Sequence, residues 1–369
     1  MLNEAKEMIG QIGFNPYRVA YDSQNYIDLA SNNYLGLAGH PAVKQAAAAA
    51  AQEYGVSFCG TPVASGCSEL SRSAAGQLAA FTGLDAAVLF PSCYQANNGL
   101  FSALCRKEDL IVIDQYAHSS LVEGVRAAGC KINPFLHNDM AHLEKVLRRA
   151  RGFHKIYVVT ESVFSTEGSV APLDQITALC EVYGAVPVVD DSHGIGVLGA
   201  NGHGVLEHFG LSRYRGLYTA SLGKALGNMG GMAGGDEETM EYLGYLCPHL
   251  IYSTALTPPV LGGIIGALTV IAREFPELGS KMWHYKQLIS EAVGPDHPSP
   301  APINTIFCGE ARAAVALSRK LYERGILSTP FIEPSVPRHR CVVRLIAGAG
   351  LKEEKVIWAA RQIRDITSS

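Results

Sequence analysis

The stretch VPVVDDSH, residues 186–193, decides the fold class of this chain. Its first four residues form a continuous apolar run, which is typical of a strand covered on both faces of a sheet. Two aspartates, a serine and a histidine follow it directly. In open parallel sheets, ligands bind beyond the carboxyl ends of the strands, so this stretch indicates a strand that brings polar groups to a binding crevice.

The same pattern repeats on both sides of this stretch. Short apolar runs stand at AAVLF (86–90), LIVID (110–114), KIYVVTES (155–162) and GLYTAS (216–221). Helical patterns separate most of them, over residues 94–104, 119–129 and 174–184. This alternation predicts βαβ units and an α/β fold with a mostly parallel sheet between helices. The glycine-rich GNMGGMAGG (227–235) is interpreted as a turn.

Polar side chains follow each predicted strand. In chain order they are Ser92, Asp114, His118, Glu161, Ser165, Asp190, His193, Ser221 and Lys224. Because the carboxyl ends of parallel strands lie at one edge of a sheet, we expect five strand ends to converge on one crevice.

Lys224 stands in the run YTASLGKALG (218–227), where its neighbours are small or apolar. One interpretation is a lysine whose ammonium reaches water from a strand-to-turn position. The other is an amine held beside small residues, with its pKa lowered by burial, that is available for Schiff-base chemistry. Asp190 and His193 each have two interpretations as well. Asp190 either caps the next turn or belongs to the crevice, and His193 is either a core histidine or belongs to the crevice.

Composition narrows the class of protein. The 369 residues are 48% hydrophobic and 17% charged, with a net charge of −4, so a large core is expected and a nucleic-acid partner is not. The nine cysteines form no CxxC pair, which favours a reducing cytoplasm and argues against a disulfide framework or a metal site.

Membrane insertion is not expected from the sequence. The stretch MLNEAKEMIGQIGF (1–14) lacks the apolar segment of a signal peptide. VLGGIIGALTVIA (260–272) is too short and too rich in glycine to span a bilayer, and is interpreted as a buried helix. The predicted location is therefore the cytoplasm, with no membrane span.

Three segments are predicted from these patterns. Residues 41–274 form a large α/β domain, and residues 275–369 form a smaller α+β domain with helices near 311–325 and 353–366 around a strand at 340–347. Residues 1–40 join the smaller domain.

One cofactor needs the combination of groups at the predicted crevice. Pyridoxal phosphate forms a Schiff base with a lysine and pairs its pyridine nitrogen with a buried carboxylate, roles open to Lys224 and Asp190. Its phosphate suits a helix N-terminus and hydroxyl groups, which PSCYQANNG (91–99) and Ser221 supply. His118 offers a flat group for the face of the ring. The residues therefore predict a pyridoxal phosphate enzyme.

The chain also resembles the α-oxoamine synthases, a family of fold-type-I pyridoxal phosphate enzymes. Eight stretches match that family in order: LASNNYLGLAGHP (29–41), FPSCYQANNGL (90–100), DQYAHSSLVEG (114–124), PFLHNDMAHLEKVL (134–147), ESVFSTEGSVAPL (161–173), VVDDSHGIGVLG (188–199), TASLGKALGNMGG (219–231) and YSTALTPP (252–259). Because they occur in family order over most of the chain, they identify the family specifically.

The resemblance implies a role for each matching residue around the cofactor ring. Lys224 is the Schiff-base lysine, Asp190 pairs with the pyridinium nitrogen, and His118 stacks on the ring. His193 and Ser165 lie near the phenolic oxygen. The implied catalytic residues are Lys224, His118, Asp190 and His193.

The resemblance also implies contacts to the phosphate and to the substrate. The backbone of Cys93 and Tyr94 and the hydroxyl of Ser221 hold the phosphate. Ser253 and Thr254 reach the phosphate of the neighbouring subunit, in a homodimer with shared active sites. The implied substrate-binding residues, which hold the amino-acid carboxylate, are Asn32 and Arg344.

Several positions depart from the usual pattern of this family. Ser71 stands where a histidine is usual, Ala75 where a glutamate is usual, and Cys93 where many members have glycine. STEG (165–168) replaces SMDG and is similar to the autoinducer synthases, and RLIAGAG (344–350) lacks a histidine after the arginine. These departures leave the fold and cofactor expectations in place but leave the acyl donor and the amino acid open.

The implied activity is condensation of an amino acid with an acyl thioester of coenzyme A or acyl carrier protein, with loss of CO₂, to give an α-amino ketone. Formation of 8-amino-7-oxononanoate from alanine and a pimeloyl thioester, a step of biotin biosynthesis, is the leading expectation. Glycine C-acetyltransferase, serine palmitoyltransferase-like and autoinducer-type reactions are the alternatives within the family. Transamination and retro-aldol cleavage are alternatives of another reaction class.

Overall fold

The computed structural model describes residues 2–16, 25–294 and 299–368. The chain divides into two units. The first unit consists of Met1–Gly36, Ser165–Ser169 and Glu277–Ser369, and the second of Leu37–Phe164 and Val170–Pro276. The domain limits predicted after residues 40 and 274 stay a prediction.

The strands of the described residues are, in chain order, β1 (Ile27–Asp28), β2 (Ala86–Phe90), β3 (Leu110–Asp114), β4 (Lys131–Phe135), β5 (Ile156–Glu161), β6 (Val186–Asp190), β7 (Leu217–Ser221), β8 (Gly231–Gly235), β9 (Asn304–Gly309), β10 (Ile326–Leu327), β11 (Thr329–Phe331) and β12 (Cys341–Leu345). The α-helices of the same residues are α1 (Leu2–Ile12), α2 (Pro41–Tyr54), α3 (Glu69–Thr82), α4 (Cys93–Leu104), α5 (Ser119–Ala127), α6 (Met140–Arg149), α7 (Leu173–Tyr183), α8 (Val205–His208), α9 (Glu237–Leu246), α10 (Pro248–Ile251), α11 (Pro258–Val293), α12 (Ala311–Glu323) and α13 (Glu353–Thr367).

The second unit is built on a seven-stranded sheet in the order β2-β8-β7-β6-β5-β3-β4. Neighbouring strands from β7 to β4 are parallel. β8 is antiparallel to both β2 and β7, so β2 runs in the same direction as β7. The predicted α/β fold with a mostly parallel sheet is confirmed. All strands of this sheet except β8 therefore end at one edge, where the polar residues were expected to converge.

Glycines explain one wrong prediction in this sheet. The stretch interpreted as a turn contains β8, a strand that fills the gap between β2 and β7. A Cβ on Gly231 would lie 2.3 Å from the backbone nitrogen of Cys93, and one on Gly234 would lie 2.6 Å from the side chain of Leu84. These glycines therefore permit close approach within a strand and do not indicate a turn.

The edge strand β4 is missing from the prediction. β4 has the sequence KINPF, only its last residue is buried, and it pairs with β3 alone. Proline is tolerated at such an edge because one side of the strand has no partner. An edge strand with partly exposed residues lacks the continuous apolar run that identifies the central strands.

The core of the second unit lies against the sheet. β3 and β5 bury every residue, so both faces of these strands are covered. Apolar side chains from strands and helices form one cluster, whose members include Phe90, Ile111, Leu217, Leu100, Leu121 and Leu243. This burial fixes the strands, and with them the polar residues that follow the strand ends.

The first unit contains a three-stranded antiparallel sheet in the order β11-β12-β9 and a parallel pair of β1 with β10. Its core packs Val343 and Leu345 of β12 with Val356 of α13 and Leu321 of α12. The helices and strand predicted near 311–325, 353–366 and 340–347 are confirmed within a few residues.

Helix α11 is the one helix of the described residues that is long and apolar enough to cross a membrane by length and composition. In the protein, 61% of its most apolar window is buried, which is typical of a core helix. Leu261, Ile264 and Ile271 are among its buried side chains. The interpretation of residues 260–272 as a buried helix is confirmed.

Candidate active site

A cavity of about 370 Å³ opens at the edge of the sheet where β2, β3, β5, β6 and β7 end. Eight of the residues predicted from the sequence line it: Ser92, Cys93, Tyr94, His118, Glu161, Asp190, Ser221 and Lys224. A cavity of about 400 Å³ lies by Asp109 and Lys155, at the starts of β3 and β5. We assign the chemistry to the first cavity, because the second one lies at the opposite edge, away from the strand ends.

Asp190 ends the buried strand β6 and is only 4% exposed. Asn97 donates from Nδ2 to Oδ2 over 2.7 Å, and the backbone N–H of Ser192 donates to Oδ1 over 2.9 Å. The thiol of Cys93 lies 3.9 Å from Oδ2. A buried carboxylate is costly unless it is hydrogen-bonded, and these two N–H donors meet that requirement while leaving Asp190 on the cavity wall.

His118 caps the N-terminus of α5 and faces the cavity. Its backbone N–H donates to Oε1 of the buried Glu161 over 2.8 Å. Its ring Nδ1 lies 2.7 Å from the Ser120 hydroxyl. Removal from water lowers the pKa of the His118 ring; the Asp190 charge opposes this shift, and the Lys224 charge adds to it. The lowered pKa favours the neutral form of the ring, which offers a flat, uncharged face.

Lys224 lies in the turn that connects β7 to β8 and is half-buried. The turn is closed by hydrogen bonds from Gly227 N to Lys224 O and from Leu222 N to Gly230 O. Gly227 has a φ of +65°, and a Cβ there would lie 2.3 Å from Ala38 N, so only glycine fits. The turn thereby holds the lysine at the cavity, beside the small residues noted in the sequence.

The start of α4 forms another wall of the cavity. Ser92 is its N-cap and accepts a hydrogen bond from Gln95 N over 3.2 Å. The first backbone N–H groups of a helix have no partner within the helix and favour an anion. Ser221 lies at the same cavity, and its Oγ accepts a hydrogen bond from Gly223 N over 3.3 Å.

The remaining predicted residues of the second unit lie away from the cavity lining. Of the predicted residues that the structure describes in this unit, Asp114, His193, Ser253 and Thr254 do not line this cavity. His193 is buried in the turn after β6. Ser253 accepts a hydrogen bond from Gln95 Nε2 over 3.4 Å within its own chain, whereas Thr254 is exposed. Their roles toward a cofactor stay predictions.

Arg344, Asn32 and Ser165 belong to the first unit. Arg344 is only 5% exposed, donates from one terminal nitrogen to Ser165 O over 2.9 Å, and lies 4.8 Å over the Phe331 ring. Its Nε and the Oδ1 of Asn32 are buried without a hydrogen-bond partner in the described residues. Burial lowers the pKa of Arg344. A buried guanidinium without a carboxylate partner among the described residues is suited to binding an anion.

Sequence analysis did not identify three polar residues that support the site. Asn97, Ser120 and Ser192 are buried and connect Asp190, His118 and Ser221 by hydrogen bonds. A signal for Asn97 was present, since it lies one helical turn after Cys93 and on the same face. Glu161, which was noted only as a polar strand end, fixes the backbone of His118.

Asp191, the neighbour of Asp190, is a different kind of carboxyl group. It is fully buried on the other side of the strand end, where Oδ2 accepts hydrogen bonds from Tyr218 over 2.8 Å and from Val205 N over 3.0 Å. Oδ1 has no hydrogen-bond partner in the described residues. Burial raises the pKa of Asp191 to about 7.

We expect Asp191→Asn to change how stability depends on pH. In the unfolded chain Asp191 titrates near 3.8, and in the folded chain near 7. The stability that its proton provides is therefore present below about pH 4 and is lost as the pH rises toward 7. Asparagine does not titrate, so its contribution does not change over this range. The free energy of unfolding measured in urea, variant minus wild type, should therefore increase by on the order of 2 kcal/mol from pH 5 to pH 8. An equal difference at both pH values would contradict the assignment.

Comparisons with known proteins agree with this architecture. Residues 24–363 match the family model for aminotransferase class I and II. The 8-amino-7-oxononanoate synthase 1 of Bacillus velezensis is 34% identical over 350 residues, which cover 94% of this chain and 89% of that protein. The serine palmitoyltransferase structure of Sphingomonas wittichii has a TM-score of 0.94 at 25% identity, over 100% of this chain and 96% of that one. The 8-amino-7-oxononanoate synthase structure of Francisella tularensis has a TM-score of 0.77 at 25% identity, and the match covers 94% of this chain and 98% of that one.

Proposed function

Because this chain belongs to the aminotransferase class I and II family, and within it to the α-oxoamine synthases, we propose that it condenses an amino acid with an acyl thioester and releases CO₂. The proposed substrates are alanine and a pimeloyl thioester, and the proposed product is 8-amino-7-oxononanoate, a precursor of biotin. The observation that supports this best is the cavity at the strand ends, which Lys224, Asp190 and His118 line together.

The cavity fits pyridoxal phosphate by the chemistry of its lining. It brings together an amine, a buried carboxylate held by two N–H donors, a neutral flat ring and the start of a helix. When bound, pyridoxal phosphate supplies an aldehyde that reacts with amines and a ring that withdraws electrons from the substrate.

Lys224 is the proposed nucleophile and proton carrier. Its Nζ is the group that would hold the cofactor through the aldehyde carbon, with loss of water, until the amino group of the substrate takes its place. Once free, the same Nζ would take the proton from the substrate Cα. A single half-buried lysine on the cavity wall performs both steps.

Asp190 and His118 are proposed to set the electrostatics of the ring. The Asp190 carboxylate would keep a proton on the pyridine nitrogen, and that positive charge would favour withdrawal of electrons from the substrate. His118 packs its neutral ring on the cofactor face. The backbone of Cys93 and Tyr94 at the start of α4, with the Ser221 hydroxyl, is proposed to hold the phosphate.

Other proposed contacts follow from resemblance and from local structure. Arg344 and Asn32 are proposed to hold the substrate carboxylate, which is supported by the buried guanidinium and by the buried amide oxygen without a partner. His193 and Ser165 are proposed to lie near the phenolic oxygen. The protein is proposed to be cytoplasmic, with free thiols at all nine cysteines.

A homodimer is proposed because large apolar side chains are exposed around the cavity. Tyr94 and Met229 line its mouth and are 43% and 58% exposed, and Tyr252, the neighbour of Ser253, is 84% exposed. Monomeric proteins rarely expose clustered side chains of this kind unless a partner covers them. In this dimer, Ser253 and Thr254 would reach the phosphate of the other subunit.

Shared sites predict complementation between two inactive proteins. A Lys224→Ala protein is mixed with a Ser253→Ala/Thr254→Ala protein under conditions that exchange subunits. In each mixed dimer, one site then combines an intact lysine with intact hydroxyls of the other subunit, so activity should rise above that of both parents. If exchange is proven and activity does not rise, Ser253 serves its own chain through Gln95.

The proposed reaction is tested by mass spectrometry of the products formed from a matrix of amino acids and acyl thioesters. Alanine with pimeloyl thioester should give 8-amino-7-oxononanoate, with one CO₂ and one free thiol released per product. Serine with a long-chain acyl thioester is the second candidate, because the TM-score of 0.94 is with a serine palmitoyltransferase. Amino-group transfer to a keto acid without thioester consumption would contradict both.

A further inference from the structure

A chain of hydrogen bonds joins the two groups that are proposed to contact opposite parts of the cofactor ring. Asn97 Nδ2 donates to Asp190 Oδ2 over 2.7 Å and to Ser120 Oγ over 2.9 Å. Ser120 Oγ lies 2.7 Å from the Nδ1 of His118. Asn97 is 1% exposed and Ser120 is 2% exposed, so water does not compete for the contacts that Asn97 makes.

The orientation of the Asn97 amide follows from its partners. A carboxylate can only accept hydrogen bonds, so the amide atom that faces Asp190 is the nitrogen. The amide oxygen accepts from the Thr219 hydroxyl over 2.7 Å. The two hydrogen bonds that the nitrogen donates and the one that the oxygen accepts are all consistent with this single orientation of the amide.

The same logic fixes the proton on His118. The backbone N–H of Ser120 lies 3.2 Å from Nδ1 and can only donate, so Nδ1 accepts and is unprotonated. The Ser120 hydroxyl receives a hydrogen bond from Asn97, and its own proton is therefore directed to Nδ1. The single proton of the neutral ring is left on Nε2.

We propose that Asn97 is a positioning residue that acts on both sides of the site through one amide, holding the Asp190 carboxylate by direct donation and the Nε2–H tautomer of His118 by way of Ser120. Its purpose rests on the proposed function, because a ring stacked on the cofactor must stay neutral and in one tautomer. The hydrogen-bond pattern itself is a property of the protein without cofactor.

Other groups around His118 are consistent with this arrangement. Glu161 contacts the backbone N–H of His118 and not the ring nitrogen that Ser120 contacts. Two charges have opposite effects on the pKa of the ring: Asp190 favours the imidazolium, and Lys224 disfavours it. An imidazolium would point a second N–H at the N–H of Ser120, so the network works against protonation.

The test is ¹⁵N NMR of histidine-labelled protein without cofactor, with the His118 signals assigned by their loss in His118→Gln. In wild type, we expect Nδ1 to give a pyridine-type signal and Nε2 to give a pyrrole-type signal at neutral pH. A pyrrole-type Nδ1 signal in wild type would overturn the proposal. This measurement needs no variant, so the proposal can be tested even if a variant does not fold.

Two variants distinguish the relay, meaning the hydrogen bonds from Asn97 through the Ser120 hydroxyl to His118, from the contact of the Ser120 backbone N–H with His118. Ser120→Ala removes the hydroxyl that touches the ring, and Asn97→Ala removes the amide that orients this hydroxyl but does not touch the ring. Both should move the two ring signals toward each other, because the longer contact from the Ser120 backbone N–H (3.2 Å) is then left without the shorter one from the hydroxyl (2.7 Å), and the second tautomer becomes more populated. Unchanged His118 signals in a folded Asn97→Ala protein would overturn the proposal.

Neighbouring residues give matched controls. Asn98 lies next to Asn97 and donates to backbone carbonyls of Tyr94 and Ser120, and Ser119 is the exposed neighbour of Ser120. Asn98→Ala and Ser119→Ala should leave the His118 signals as in wild type; a shift as large as in Asn97→Ala would contradict a specific relay. Because no substrate is present, failure of this test is distinguishable from failure of the proposed reaction, which the product matrix measures.

Discussion

Replacing Lys224 by alanine is expected to lower turnover by roughly 10⁴-fold or more, since this one amine is proposed both to bond to the cofactor and to move the Cα proton. The fold should persist, because Lys224 lies in a turn at the cavity and outside the apolar core. Steady-state assays with the substrates identified by the product matrix measure the loss, and thermal unfolding checks the fold.

A second measurement locates the bond. Borohydride reduction of the wild-type protein loaded with pyridoxal phosphate should fix a pyridoxyl group on Lys224, as found by digestion and mass spectrometry. Lys155 provides a matched control, since it is exposed at the start of β5, at the opposite edge of the sheet from the site. Lys155→Ala should keep full activity. A label on any other lysine would contradict the assignment.

The polar residues that sequence analysis placed at the crevice share one property: each ends or follows a strand whose apolar run is recognisable. Asp190 ends VPVV and Lys224 follows GLYTA, so the parallel sheet alone predicts that they lie at one edge. Their convergence on one cavity is confirmed. The position of these residues along the chain was sufficient, because the strand direction determines which end of each strand faces the crevice.

Asn97 and Ser120 could not be identified in this way. They lie within helices, and Asn97 is 93 positions from Asp190 in the chain. Their hydrogen bonds exist only when α4 and α5 pack against the sheet. The position of Asn97 one helical turn after Cys93 indicates its face of the helix but not its partner, Asp190. β8 was missed for a related reason, since its glycines indicate a turn by composition but are required by the closeness of Cys93 in space.

Asp190→Asn is the second large effect that we expect. An amide cannot hold the pyridine nitrogen protonated, so the ring would withdraw electrons less strongly. Removal of a preorganised electrostatic group costs on the order of 10²-fold or more in turnover. The substitution also affects stability, because both oxygens of Asp190 accept N–H donors, from Ser192 and Asn97.

An asparagine would turn one of these acceptors into a donor that faces an N–H, at a cost of about 1–3 kcal/mol. A typical domain has enough stability to remain folded after that loss. Thermal unfolding and cofactor affinity therefore have to be measured beside kcat, so that a loss of turnover in folded, loaded protein is assigned to the chemistry.

Asp191→Asn is the matched control for this variant, because it makes the same chemical change one residue away in a carboxyl group that is equally buried. Asp191 faces Tyr218 and Val205 and does not line the cavity in the part of the chain that the structure describes. We expect normal turnover for Asp191→Asn and a loss of at least roughly 10²-fold for Asp190→Asn.

Near-normal turnover in Asp190→Asn would mean that another group protonates the pyridine nitrogen. Equal losses in both variants would mean that the effect comes from disturbing the strand end, because of these two aspartates only Asp190 lines the cavity.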